Sequence, residues 1–180
     1  GLLTFTPTGL KDLDDWFRMR PSNLTIVAGR PGTGKTAFLV TCSLNMGRNK
    51  KREGKGRILF ISMEMSVEEV TARFLSQISG VAATRILDGK MTAEEWDRFN
   101  DAVAEFETLP IDINDISALS INQIKTKARK SLRSGKDDVL IVDYLQLATS
   151  GEKKGNRVDE VGAVARGLKV LASETGYNVI

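Results

Sequence analysis

The sequence predicts an α/β protein in which a mainly parallel sheet is covered by helices on both faces. Residues 58–61 and 139–142 are continuous apolar runs, a composition typical of strands that are buried on both sides. Segments with apolar residues at helical spacing alternate with these runs, which favours parallel strands joined by helices. With 180 residues, 41% of them hydrophobic, the chain is expected to form one domain over residues 1–180.

The first part of the chain is predicted to contain a short helix, a strand and a longer helix. Near its beginning, four apolar side chains recur at helical spacing and suggest a core-facing stripe: Leu10, Leu13, Trp16 and Phe17. Residues 24–28 are an apolar run that predicts a strand, and residues 37–46 have helical spacing. The basic segment 48–57 is interpreted as a solvated surface loop, with a nucleic-acid contact as the sharper alternative.

Capping signals and apolar periodicity define the elements in the rest of the chain. Ser66 is a candidate N-cap, and the pairs Thr92–Glu95 and Ser120–Gln123 have the form of capping boxes. The remaining predicted elements are a helix over 67–79, a helix from 92 to about 106, a short strand at 111–114, a helix from 120, a strand at 139–142, a helix over roughly 158–175 and a strand that begins at 178.

A glycine-rich segment between the first predicted strand and the following helix carries the strongest functional signal. Its sequence is Gly29-Arg30-Pro31-Gly32-Thr33-Gly34-Lys35-Thr36. A strand, G-x-x-x-x-G-K-T and a helix in this order are typical of a P-loop, whose N–H groups bind phosphate oxygens together with the helix N-terminus. Lys35 is expected to contact the β- and γ-phosphates, and the Thr36 hydroxyl is expected to bind Mg²⁺. The motif therefore predicts a nucleoside triphosphate site, and the alternative is a turn that only links two elements.

The composition excludes several kinds of chemistry. The chain contains no histidine, which excludes histidine bases, Ser-His triads and imidazole zinc sites. Its one cysteine, Cys42, excludes an internal disulfide and a cysteine-rich metal cluster. No apolar run is long enough to cross a membrane, and the first residues do not resemble a signal peptide. The net charge of +3 is by itself weak evidence for nucleic-acid binding.

Carboxylates at the ends of two predicted strands are the candidates for metal binding and catalysis. Asp143 follows the apolar run 139–142, as in a Walker B strand, and is expected to hold Mg²⁺ opposite Thr36. Glu64 follows the strand at 58–61 and has the right chemistry to activate water, but it can equally be a helix-start carboxylate that favours the dipole.

Other polar residues are candidates for contacts with phosphate, nucleic acid or another subunit. Gln146 is a candidate γ-phosphate sensor or nucleic-acid contact, or a solvated loop residue. Arg73 is a candidate for a phosphate or subunit contact, or for a surface ion pair. Lys153, Lys154 and Arg157 lie on the polar loop after Asp143, where they can contact a nucleic-acid backbone, although no aromatic residue is interleaved for base stacking.

Four motifs together resemble those of the DnaB-type replicative helicases, within the RecA-like ATPases, in order and spacing over nearly the whole chain. They are Thr8-Gly9-Leu10, the P-loop, Phe60-Ile-Ser-Met-Glu-Met65 and Asp143-Tyr-Leu-Gln-Leu147. The resemblance implies that Glu64 activates water, that Asp143 is the Walker B aspartate and that Gln146 belongs to the same motif. It also implies that residues 150–157 face a central DNA channel.

The resemblance further implies an ATP-driven motor with a RecA-like P-loop core. Such proteins form hexameric rings with ATP and Mg²⁺ between subunits, act on single-stranded DNA, and work with helicase loaders and primases in the cytoplasm or nucleoid. In them the strand that begins here at Asn178 lies between the P-loop strand and the Walker B strand. Because an arginine finger and further DNA-binding loops follow that strand, the chain is expected to be part of a motor domain. The alternatives are another RecA-like branch, such as a recombination or clock-type ring, and an ATP-binding scaffold without turnover.

Overall fold

The computed structural model describes residues 5–54, 56–115, 120–133, 138–143 and 157–180. The helices are α1 (Lys11–Trp16), α2 (Lys35–Glu53), α3 (Val67–Ser79), α4 (Ala83–Asp88), α5 (Ala93–Glu107), α6 (Ile121–Arg133) and α7 (Arg157–Thr175). The strands are β1 (Ile58–Ser62), β2 (Ile111–Asp115), β3 (Val139–Asp143) and β4 (Asn178–Val179). Among the described helices, none combines the length and the apolar character that a membrane crossing requires.

The four strands form one parallel sheet in the order β2-β1-β3-β4. In the centre of this sheet, Phe60 of β1 pairs with Ile113 of β2 on one side and with Ile141 of β3 on the other. Beside β4 lies the segment that precedes the P-loop, joined by a parallel bridge between Leu24 and Val179. The strand that begins at Asn178 therefore lies between β3 and the P-loop segment, as expected from the resemblance.

Alternate residues of each central strand point to opposite faces, and helices cover both. On β1, Leu59 and Ile61 pack into a core with residues of α6 and α7. Ile58 and Phe60 point the other way, into a core formed with α2 and α3. This two-sided burial explains why β1 and β3 are continuous apolar runs, since neither face of the sheet meets water. The predicted fold class is thereby confirmed.

The segment that leads into the P-loop does not form the predicted strand over residues 24–28. The Thr25 N–H donates to Val179 O (2.8 Å) and the Val179 N–H donates to Asn23 O (2.9 Å), but regular pairing ends there. Ile26 is 60% exposed.

The basic segment 48–57 is not the predicted surface loop, because its first six residues continue α2 to Glu53. Gly54 ends the helix in the left-handed conformation, with φ +66°. The Lys50 side chain is buried and its Nζ lies 2.6 Å from the carboxylate of Asp138, just before β3. Basic side chains in the last turn also favour the negative end of the helix dipole.

The capping predictions are confirmed, but two tryptophan side chains are exposed. Thr92 caps α5 in the predicted box with Glu95. The side chains of Ser120 and Gln123 each accept from the backbone N–H of the other, as predicted. Ser66, predicted as a cap, also forms a box with Glu69. Trp16 is 91% exposed and Trp96 is 42% exposed. The predicted core-facing stripe is therefore confirmed only at its start: Leu10 packs against the core, whereas the six-residue helix α1 buries none of its side chains.

Asn178 is a polar residue in the core whose side-chain amide has no hydrogen-bond partner among the described residues. Its exposed fraction is 1%. We expect Asn178→Val to raise the free energy of unfolding by about 1 kcal/mol, because valine removes two unsatisfied polar atoms and suits a strand. Asn178→Asp should lower it by roughly 2 kcal/mol or more, because a buried charge lacks a partner. Urea unfolding tests both, and a loss of stability in Asn178→Val would show that the amide is hydrogen-bonded.

Candidate nucleotide-binding site

The P-loop adopts a backbone that its glycines permit. Gly32 and Gly34 have φ angles of +76° and +91°, in the left-handed region that disfavours side chains. A Cβ on Gly29 would lie 2.7 Å from the Thr33 hydroxyl, which itself donates a hydrogen bond to Arg30 O (2.8 Å). Gly34 is the N-cap of α2, so the loop ends at the positive end of a helix of 19 residues. The loop is solvent-exposed and has the features of an anion-binding site.

The Lys35 side chain extends from the first turn of α2 back to the beginning of this loop. Its Nζ donates hydrogen bonds to Gly29 O (3.0 Å) and Arg30 O (3.1 Å). Carbonyl oxygens are neutral acceptors, and hydrogen bonds of an ammonium group to charged phosphate oxygens are stronger. The side chain is therefore positioned to exchange these carbonyl contacts for a phosphate.

A hydroxyl and a carboxylate meet at the mouth of the P-loop. The Thr36 Oγ1 donates a hydrogen bond of 2.7 Å to Asp143 Oδ2. Asp143 is buried at the carboxyl end of β3, while Thr36 lies in the first turn of α2. Magnesium prefers oxygen ligands and is usually bound by one or two protein groups together with substrate phosphates. The two oxygens fit such an ion, and no group of three or more Asp, Glu or Cys residues able to hold a metal occurs in the described part of the chain.

Glu64 lies on a turn that is fixed at the end of β1. The Ser62 hydroxyl donates to Met65 O (2.7 Å) and accepts from the Met65 N–H (3.1 Å), which closes the turn around Glu64. The Met63 N–H donates to Asp143 O (2.7 Å), so the same turn is joined to the end of β3. The Glu64 side chain itself is exposed.

Two carboxylates other than Glu64 bind the backbone N–H groups at the start of α3. Glu64 was the carboxylate that the alternative interpretation placed at this helix start. Glu69 accepts from the Ser66 N–H (2.9 Å) in the capping box. Asp115, at the end of β2, accepts from the Val67 N–H (3.0 Å). Because these two groups already satisfy N–H groups at the start of the helix, the helix-dipole interpretation of Glu64 loses its main support.

The P-loop, both strand-end carboxylates and one arginine line a single cavity of about 320 Å³. On one side are Gly32, Gly34, Lys35 and Thr36 of the P-loop, and facing them are Glu64, Arg73 and Asp143. No ion pair joins Arg73 to another described residue, so the surface ion pair considered for it is not observed. The volume lies at the lower end of the range for ligand sites.

Several predicted site residues fall outside the part of the chain that the structure describes. Gln146, Lys153 and Lys154 lie outside the described residues, as does the side chain of Arg157, whose backbone begins α7. Conversely, Ser62 and Asp115 contribute to the site although no role is predicted for them from the sequence. Ser62 lies inside the Ser-Met-Glu-Met motif, but the contact of Asp115 with α3 spans 48 positions and has no local signal.

A P-loop at a helix N-terminus, with carboxylates at the ends of adjacent parallel strands, defines the class of P-loop nucleoside-triphosphate-binding α/β proteins. The model of the DnaB-like helicase C terminal domain family matches residues 6–180, and the chain belongs to that family.

Curated relatives and solved structures agree with this assignment. The chain is 38% identical over 180 residues to the replicative DNA helicase DnaB of Rickettsia bellii, and 34% identical over 182 residues to that of Geobacillus stearothermophilus. It covers 36% and 39% of these two relatives and thus spans little more than a third of their length.

Among solved structures, a DnaB-like replicative helicase described with its interactions with primase superposes with a TM-score of 0.88 at 29% identity. The alignment covers 100% of this chain and 43% of that one. A second solved chain, described as an ATPase domain, has a TM-score of 0.86 at 28% identity over 99% of this chain and 63% of its own.

Proposed function

We propose that the protein is the ATP-hydrolysing motor of a replicative DNA helicase, which translocates on single-stranded DNA and unwinds duplex DNA. The observation that carries this proposal is the convergence of Lys35, Thr36, Glu64 and Asp143 on one cavity beside the P-loop. A binding-only site needs the loop and a metal ligand, whereas hydrolysis also needs a group that activates water. Membership of the DnaB-like family supports DNA as the polymer along which the motor moves.

In the proposed complex, the P-loop N–H groups and the Lys35 ammonium bind the β- and γ-phosphates of ATP. The Thr36 hydroxyl and the Asp143 carboxylate, which lie within hydrogen-bond distance of each other, would hold Mg²⁺. The ion would supply neutralisation of charge on the phosphate oxygens. The positive end of α2 adds to this stabilisation.

Glu64 is the proposed base for the hydrolytic step. Its carboxylate orients a water molecule whose oxygen forms a bond to the γ-phosphorus, while the bond from that phosphorus to the β–γ bridging oxygen breaks. The water proton passes to Glu64, and ADP and inorganic phosphate are the products. The exposed guanidinium of Arg73, on the same cavity wall, is positioned to contact the γ-phosphate oxygens.

The proposed partners are other copies of the chain, single-stranded DNA, a primase and a helicase loader. We infer a homo-oligomeric ring, hexameric as implied by the family resemblance, with ATP between subunits. Lys153, Lys154 and Arg157 are the proposed contacts to the single-stranded DNA backbone, and Gln146 a contact to phosphate or DNA. A primase is supported as a partner by the structural neighbour that was described with one, and a loader by the resemblance. The expected location is the cytoplasm or nucleoid.

We expect the full-length protein to hydrolyse ATP faster when single-stranded DNA is present, because a translocating motor couples ATP turnover to movement along the DNA. The measurement is steady-state phosphate release with and without an oligonucleotide, with blunt duplex DNA as the control. Tight ATP binding without turnover under either condition would contradict the motor and favour a nucleotide-binding scaffold. Unwinding of a tailed duplex should require ATP and Mg²⁺.

A further inference from the structure

The position of α3 decides where two of the proposed ATP-contacting groups lie. Arg73 is part of this helix, and Glu64 lies on the turn that leads into it. The P-loop and Thr36, by contrast, belong to the start of α2. Because the γ-phosphate must contact groups of both helices at once, the reaction depends on how α3 is held against α2.

One exposed amide on α3 reaches the first turn of α2. The Gln77 Nε2 donates a hydrogen bond of 3.1 Å to Ala37 O, and the Thr41 hydroxyl lies 3.0 Å from Gln77 Oε1. The same hydroxyl lies 2.9 Å from Ala37 O, so the three groups form a closed set of polar contacts. Ala37 directly follows Thr36, the proposed metal ligand.

We propose that Gln77 is a positioning residue for ATP hydrolysis, which holds Arg73 and Glu64 at the correct distance from the P-loop. This inference rests on the function proposed above. Gln77 lies four residues after Arg73, so both side chains are on one face of α3, about 6 Å apart along its axis. A small tilt of α3 at Gln77 therefore moves the Arg73 guanidinium relative to the phosphates.

Polar contacts hold α3 near both of its ends. Asp115 and the capping box bind its first turn, and Gln77 binds α2 near its last turn. Apolar packing is not directional, so the hydrogen bonds of Gln77 define more closely where this end of α3 lies along α2. Displacements of about 1 Å at a reacting group can lower rates by roughly 100-fold.

The fold does not depend on this amide. The interface of α2 and α3 is built by buried apolar side chains such as Val40, Val70 and Phe74. Gln77 is solvent-exposed, so water can replace its hydrogen bonds when they are removed. Its loss should therefore alter geometry at the site more than stability.

The test compares Gln77→Met with wild type in the full-length protein. Methionine keeps the length of the side chain and removes both polar atoms. We expect kcat for ATP to fall about tenfold while KM changes less than about twofold and the melting temperature stays the same. The affinity for ADP–aluminium fluoride with Mg²⁺, a transition-state analogue, should fall by a similar factor, and that for ADP should not.

The matched control is Asn100→Met, which replaces an exposed amide on α5 that makes no hydrogen bond to another described residue. It should leave kcat, KM and analogue affinity unchanged. An unchanged kcat in Gln77→Met would overturn the inference. So would a lower kcat accompanied by an equal loss of ADP affinity or by a lower melting temperature, since either would show a general structural role.

Thr41 provides an independent check. Thr41→Ser keeps the hydroxyl and should retain wild-type kcat, whereas Thr41→Val removes it and should lower kcat severalfold. Combining Thr41→Val with Gln77→Met should add little to the effect of Gln77→Met alone, because both act through one set of contacts. Fully additive effects would overturn the shared role.

Glu64→Gln, measured in parallel, separates this inference from the proposed function. If Glu64→Gln loses turnover and Gln77→Met does not, the result supports the proposed hydrolytic site and contradicts the positioning role of Gln77. If Glu64→Gln keeps full turnover, the proposed base is wrong. Gln77→Met then still decides the positioning role, because the ratio of analogue to ADP affinity does not require Glu64 to be the base.

Discussion

Glu64→Gln is expected to lower ATP turnover at least about 100-fold while Mg·ATP binding is retained. General-base catalysis contributes roughly 100- to 10,000-fold, and glutamine keeps the size of glutamate without its capacity to accept a proton. The side chain is exposed and its turn is closed by Ser62 and Met65, so the substitution should not disturb folding. Phosphate release measures turnover, and titration with a fluorescent ATP analogue measures binding.

Glu68→Gln is the matched control, because Glu68 is an exposed glutamate in the first turn of α3, four residues after Glu64. It should retain turnover within about twofold, as surface substitutions of this kind usually have small effects. Equal turnover in wild type and Glu64→Gln would remove Glu64 from the catalytic role. Loss of ATP binding in Glu64→Gln would instead assign it to substrate binding.

Lys35→Ala is expected to weaken Mg·ATP binding by roughly 10- to 100-fold and to abolish measurable turnover at ordinary ATP concentrations. Hydrogen bonds to charged groups contribute about 1.5–3 kcal/mol, which corresponds to that range. The fold should be unaffected, since the only partners described for the Lys35 ammonium are carbonyl oxygens of the exposed loop. Calorimetric titration with ATP and Mg²⁺ measures the affinity.

Lys51→Ala, near the other end of α2, is the control for this experiment. Its Nζ donates to Thr108 Oγ1 (2.7 Å), away from the cavity, so ATP affinity should not change. An equal loss of affinity in both variants would indicate a general effect of charge on α2. Unchanged affinity in Lys35→Ala would contradict the P-loop role of this lysine.

Features that depend on a few neighbouring residues could be predicted from the sequence. The capping boxes at Thr92 and Ser120 need only a pattern over four positions, and the structure contains both. The buried strands β1 and β3 were predictable because burial on both faces requires continuous apolar runs. The P-loop is equally local, since its glycines, lysine and threonine are adjacent in the chain.

Features that depend on distant packing could not be predicted in the same way. Helical spacing shows which side chains share a face but not whether another element covers that face, and Trp16 and Trp96 are exposed for that reason. The apolar run at residues 24–28 predicts a strand, but the structure contains only the parallel bridge between Leu24 and Val179 there. The contact of Gln77 with Ala37 spans 40 positions, and no sequence pattern in either segment predicts it.

Helix α2 is joined to β3 at both of its ends. At the nucleotide end, Thr36 bonds Asp143 where β3 finishes, and near the far end Lys50 pairs with Asp138 just before β3 begins. The two contacts lie far apart along both elements, so together they oppose sliding of the helix along the strand. A displacement of the P-loop end of α2 is thereby coupled to the end of the sheet at which β3 begins.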